Sequence, residues 1–177
     1  MKYSFRHFFQ IIVLLAAATS FSQSGPDDKF DKLGISLPVK GSSNEYVNMS
    51  RTGNLIFLSG KGPLNPDGSY VTGKLGDDLT AVQGAKAARL CGIHQLAILK
   101  KELGSLFKIK RVVKVTGFIN SSPDFTGQPE VMDGFSSLMV EIFGESGRHA
   151  RSAVGVSSLP FGWAVEAEMI VEVYPDK

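Results

Sequence analysis

The chain has 177 residues, 43% hydrophobic and 20% charged, which is enough for one compact domain with a sizeable core and too few for two ordinary ones. That composition excludes collagen, low-complexity disorder and a multispan membrane protein. The formal charge of +2 includes Lys2 and Arg6, and without them bases and acids balance at 17 each, so little long-range field is left to gather nucleic acid or anionic lipid.

Lys2, Arg6 and His7 precede an apolar run from Phe8 to Ala18, and the small residues Ala18, Ser20 and Ser22 follow. This is the order of a secretory signal peptide, so residues 1–22 are expected to be removed after Ser22, leaving a periplasmic or secreted protein. The run is short of the roughly 20 residues of a permanent membrane helix, so no stable membrane anchor is expected after processing. Cys91 is the single cysteine; it falls inside a helical pattern without a neighbouring base and reads as a packed thiol.

Residues 23–32 are polar and turn-rich and read as a linker, with the domain spanning residues 33–177. Residues 45–50 and 54–59 form two short strands joined through Arg51, Thr52 and Gly53. Asn65, Pro66, Asp67 and Gly68 make a second turn. Over residues 80–103, Ala81, Ala85, Ala88, Gly92, Leu96, Leu99 and Leu103 recur three or four apart, one face of a long helix that Thr80 and Gln83 can cap and Gly104 can end. Residues 112–118 are a buried strand, residues 120–128 a loop. Pro129 opens a second helix whose face is Val131, Phe135, Leu138, Met139 and Ile142, stopped by Gly144. Residues 152–156 and 164–174 are strands separated by a Pro160–Gly162 turn. The order predicts an α+β fold, one mixed sheet with two helices on one face.

The last strand alternates. Val165, Ala167, Met169 and Val171 supply the face that helices cover, which sends Glu166, Glu168, Ile170, Glu172 and Tyr174 to the opposite face, where another subunit is expected. The Gly68 and Gly73-Lys74 spacing imitates a phosphate-binding loop, but Leu75 replaces the metal-binding hydroxyl and Asp77 and Asp78 would repel phosphate. His94, His149 and Cys91 have no metal-ligand spacing, and no serine nucleophile elbow or triad spacing is present. His94 reads as a surface or interface residue, and Arg148 and His149 as loop or interface residues.

One run carries more. It holds Gly147-Arg148-His149-Ala150-Arg151-Ser152, Leu159-Pro160 and Val165-Glu166-Ala167-Glu168, and it is preceded by a hairpin with Tyr46 before a strand ending in Ser59-Gly60. The chain resembles the YjgF/RidA family of reactive-intermediate imine deaminases, formerly described as endoribonucleases, from about Leu33 to Tyr174, and most closely a longer branch with Gly-Arg-His-Ala-Arg-Ser. The resemblance implies a chorismate-mutase-like fold, a homotrimer with clefts between subunits, and no metal or organic cofactor. It places the carboxylate-binding arginine on Arg151 and the water-handling glutamate on Glu166, with Tyr46, Ser59, Gly60 and Lys61 lining the same cleft. Lys61, Ala153 and Pro129 replace the family's usual glutamine, cysteine and asparagine, departures that bear on the substrate.

The implied reaction is hydrolytic deamination of small enamines or 2-imino acids to keto acids and ammonia. A guanidinium fork suits the planar carboxylate of a 2-imino acid, and one positioned carboxyl group can aim water at the adjacent carbon and move protons to nitrogen. Arg151 and Glu166, on strands joined by the Pro160–Gly162 turn, are expected to converge on that cleft; the alternative for the pair is an ion pair at an interface. A non-catalytic trimeric carboxylate-binding protein is the second function class. A ribonuclease is the third, without a basic face or paired histidines to support it.

Overall fold

The computed structural model describes residues 24–37 and 45–175. The expected signal segment, residues 1–22, lies outside the described residues. Among the described residues no helix is long and apolar enough to cross a membrane.

Strands β1 (Met49–Thr52) and β2 (Leu55–Lys61) form the expected hairpin. Thr52 pairs with Leu55 across a two-residue turn, Gly53-Asn54, with Gly53 at φ 55°. The first strand begins later than its residue types imply, and the second runs on through Lys61. Helix α2 (Ala81–Leu103) follows, closed at both ends as anticipated. The Thr80 hydroxyl accepts from Gln83 N, the Gln83 side chain accepts from Thr80 N at 2.9 Å, and Gly104 ends the helix in the left-handed region. Then come β3 (Ile109–Asn120), α3 (Gln128–Phe143), β4 (Ala150–Val156) and β5 (Val165–Val173).

The sheet order is β1-β2-β5-β3-β4. All pairings are antiparallel except β3 with β4, which α3 joins as a crossover, and this makes the sheet mixed. Both long helices cover one face. Ala87, Ala88, Cys91, Leu96 and Leu99 of α2 and Val131, Phe135, Leu138 and Met139 of α3 share a core with Ile56, Leu58, Val115, Ile119, Val165, Ala167, Met169 and Val171. The alternation of β5 is therefore realised as expected: its odd positions are buried and Glu166, Glu168 and Ile170 face away from the helices.

The N-terminal arm departs from expectation. Residues 26–31 are not a loose linker but a short helix, α1 (Pro26–Asp31), that packs on the domain. Pro26 opens it, the Asp28 carboxylate accepts from Gly25 N at 3.2 Å, and Phe30 is buried in the core. Asp27 accepts from Leu106 N at 3.1 Å and from the Ser105 hydroxyl, so the packed domain begins ahead of Leu33.

Candidate functional site

The β2–β5 ladder is interrupted between Leu58 and Lys61. Gln95 of α2, fully buried, bridges the interruption by donating Nε2 to the Ser59 carbonyl at 3.0 Å and to the Ala167 carbonyl at 2.7 Å. This irregularity presents Gly60 to the Glu166 side chain. A Cβ on residue 60 would lie 2.0 Å from Glu166 Oε1, so only glycine leaves the carboxylate its seat. Lys61 is half-buried beside it, with Nζ donating to Asn48 Oδ1 at 2.8 Å.

The electrostatics of the pair follow from partial burial. Desolvation pushes the Glu166 carboxyl above the ordinary carboxylate value; the like charge of Glu168 adds to this, and Lys61 opposes it. Desolvation pulls Lys61 below the ordinary lysine value, opposed by Glu166. A carboxyl group so placed can exchange protons at milder pH than an exposed one.

The remaining expected lining residues differ in disposition. The Ser59 hydroxyl donates to the Val47 carbonyl at 2.7 Å and serves the hairpin. Tyr46 is exposed and lies within electrostatic reach of Tyr70. Sequence reasoning missed an aromatic group here. Trp163 covers Gly62, stacks on Tyr70 at a centroid distance of 5.0 Å and meets Phe161 at 5.5 Å, three residues before Glu166. The visible signal was the pair of aromatics flanking Gly162 between Leu159-Pro160 and Glu166.

Arg151 sits elsewhere. It pairs with Val115, whose side chain is in the helix-covered core, so Arg151 lies on the helix side of β4, whereas Glu166 points from the opposite side of β5. Arg151 Nη1 donates to Asp133 Oδ1 at 2.8 Å and to the Ser136 hydroxyl at 3.1 Å, and Nη2 donates to the Pro129 carbonyl at 3.2 Å. Within one chain Arg151 and Glu166 therefore do not meet: both strands pair with β3, Arg151 opposite Val115 and Glu166 opposite Phe118, and those two positions face opposite sides of the sheet. Among the described residues, three of the five guanidinium donors are used, which leaves Nε–H and one Nη2–H for a ligand.

Other sequence-level readings sort cleanly. Cys91 is fully buried, and burial, with Glu166 adding, pushes its thiol well up, as befits a packed thiol. His94 is not at the surface; it is buried with Nδ1 3.3 Å from the Gly62 carbonyl. His149 does lie in the loop before β4, with its ring nitrogens 3.1 Å from the Ser136 hydroxyl and 2.7 Å from the Gly147 carbonyl. Lys74 ties its loop to Asn120 Oδ1 at 3.0 Å and to the Ser157 carbonyl at 2.7 Å, which accounts for it without phosphate.

Gly60→Ala is expected to leave the fold intact and displace the Glu166 carboxylate, because the new methyl group meets the end of a flexible side chain rather than backbone. The check is a crystal structure of the variant beside its kinetics: Glu166 moved off residue 60, with turnover reduced roughly tenfold or more.

Comparison with known proteins identifies the family and the fold. The family model described as "YjgF/chorismate_mutase-like, putative endoribonuclease" matches residues 29–170. Protein TCP17 of Trypanosoma cruzi is 45% identical over 144 residues, covering 80% of this chain and 90% of that protein. The RutC family protein PYRAB12510 of Pyrococcus abyssi is 32% identical over 126 residues, 71% of this chain and 84% of its own. The crystal structure of Atu1372 from Agrobacterium tumefaciens superposes with a TM-score of 0.76 at 41% identity, covering 84% of this chain and 91% of that one. With its mixed five-stranded sheet, two long helices on one face, and a family match running from α1 to β5, the chain belongs to the YjgF/chorismate-mutase-like family.

Proposed function

We propose that this protein hydrolyses small 2-imino acids or enamines to keto acids and ammonia, in a homotrimer whose clefts lie between subunits. The observation that carries this reading is Glu166: a half-buried carboxyl, raised by desolvation, seated on Gly60 beside Lys61. In the reaction the imine carbon gains the oxygen of water, the C–N bond breaks, and the protons of water leave with nitrogen as ammonia. Glu166 takes a proton from the attacking water and returns it to nitrogen. Arg151 binds the substrate carboxylate through its two remaining donors. Because Arg151 and Glu166 face opposite sides of the sheet, one protomer supplies the arginine and its neighbour the glutamate.

The test mixes the mature protein with 2-iminopropionate generated in situ by an amino-acid oxidase and follows the loss of imine. Faster decay than in buffer, giving pyruvate and ammonia, is expected. Unaltered decay together with tight binding of pyruvate would replace the enzyme with a carboxylate-binding module.

We further propose export, with the mature chain beginning at Gln23. The support is the sequence order of Lys2 and Arg6, the apolar run and the small residues that follow. N-terminal sequencing of the native protein decides it, and a chain retaining Met1 would remove the proposal.

A further inference from the structure

His149, just ahead of β4, and Arg151, its second residue, stand two apart, and both side chains reach α3. On α3, Pro129, Asp133 and Ser136 are spaced by four and three residues and so share one helix face, and all three bond the Arg151 guanidinium. Asp133 is largely exposed, and an exposed pair holds a side chain only loosely. Ser136 has a second tie that Asp133 lacks.

That tie runs through His149. The Gly147 carbonyl can only accept, so His149 Nδ1, 2.7 Å away, carries the ring proton and donates it. Nε2 is then the bare nitrogen. At 3.1 Å it accepts the Ser136 O–H, which commits the hydroxyl proton and turns an oxygen lone pair to Arg151 Nη1 at 3.1 Å. The carbonyl that starts the chain is itself fixed: Gly147 is buried, and a Cβ there would lie 2.1 Å from the Met139 carbonyl oxygen, so this turn packs directly on the α3 backbone. Burial lowers the His149 pKa from the ordinary histidine value, the Gly147 carbonyl opposes this and the charge of Arg151 adds to it, a balance that favours the neutral ring this geometry uses. The ring also meets Phe135 edge-on at 6.5 Å.

We propose that Ser136 and His149 are positioning residues that hold the Arg151 guanidinium by its Nη1 end, leaving Nε–H and one Nη2–H as an oriented fork for a ligand carboxylate. The proposal rests on the deaminase reading for the identity of that carboxylate. Neither residue touches substrate; both act through Arg151. It also gives the Gly147 to Ser152 run a physical sense, since Gly147, His149 and Arg151 belong to one hydrogen-bonded chain in which Ser136 joins His149 to Arg151.

The experiment uses the full mature protein and three variants, Ser136→Ala, His149→Phe and Ser136→Thr. His149→Phe keeps an aromatic ring against Phe135 and removes only the relay, which guards against simple loss of folding. Rotation of the Arg151 guanidinium is read by nitrogen-15 NMR, pyruvate affinity by titration, and KM and kcat for 2-iminopropionate by imine decay. In Ser136→Ala and His149→Phe, guanidinium rotation should quicken, and pyruvate Kd and imine KM should rise roughly 3- to 10-fold with kcat unchanged, the loss of one hydrogen bond. Ser136→Thr, which keeps the hydroxyl, should behave as wild type. Unchanged rotation in both relay variants would overturn the proposal, as would a fall in kcat and thermal stability without a change in KM. A wild-type protein that neither binds pyruvate nor consumes imine would sink the deaminase reading alone, because guanidinium rotation still decides the positioning role.

Discussion

Glu166→Gln is expected to lower imine turnover by roughly 10² to 10⁴ while leaving carboxylate affinity nearly intact. Glutamine keeps the shape that fits against Gly60 but can neither take a proton from water nor deliver one to nitrogen. Its effect on stability should run the other way. The Glu166 carboxyl is raised in the folded protein by burial and by Glu168, so the folded state binds its proton more tightly than the unfolded chain. Stability associated with this group is complete below the unfolded pKa and is lost as pH rises through the raised folded pKa. The variant should therefore melt above wild type at neutral pH, with the difference closing below about pH 4, where wild type is protonated in both states. Removing a like charge gives a second handle: Glu168→Gln should lower the Glu166 pKa and move the acid limb of kcat/KM to lower pH. A variant with wild-type turnover would take Glu166 out of the chemistry. An acid limb that ignores residue 168 would assign that limb to another group.

How much of this could be seen in the sequence depended on whether the determining contact is local. The α2 face repeats every three or four residues and carries its own stops, Thr80 with Gln83 and Gly104, so both its existence and its ends were legible. The alternation of β5 likewise announced that Glu166 and Glu168 would leave the helix-covered side. Helix α1 was not legible because it has one buried apolar anchor, Phe30, and its polar partners Ser105 and Leu106 come from a distant turn. The facing of Arg151 was hidden for a related reason. Ala150, Ser152, Ala153 and Gly155 place small residues on both sides of β4, so no alternation marks its buried side, and only pairing with Val115 settles it. Ser136 and His149 are two ordinary polar residues until α3 and the turn at Gly147 bring them together.

Arg151→Lys should raise imine KM by roughly 10- to 100-fold with a smaller effect on kcat, since lysine keeps the charge and loses the planar fork; a charge-assisted hydrogen bond is worth about 1.5 to 3 kcal/mol. Stability should change little, because the ion pair to Asp133 is exposed on the carboxylate side. The sharper expectation comes from combining variants. Arg151 and Glu166 face opposite sides of one sheet, so a cleft that uses both must draw them from two protomers. In a trimer assembled from Arg151→Lys and Glu166→Gln chains, some interfaces receive Arg151 from one chain and Glu166 from the other and are wild type. In every mixed trimer, two chains of one kind and one of the other, about one interface in three is restored, from two parents that are each nearly inactive at low substrate concentration. Co-expression with two affinity tags isolates the mixed trimers, and imine decay measures them. If each site were contained within a single protomer, every chain in the mixture would still carry a defect, and the mixed trimers would show only the average of the two parents.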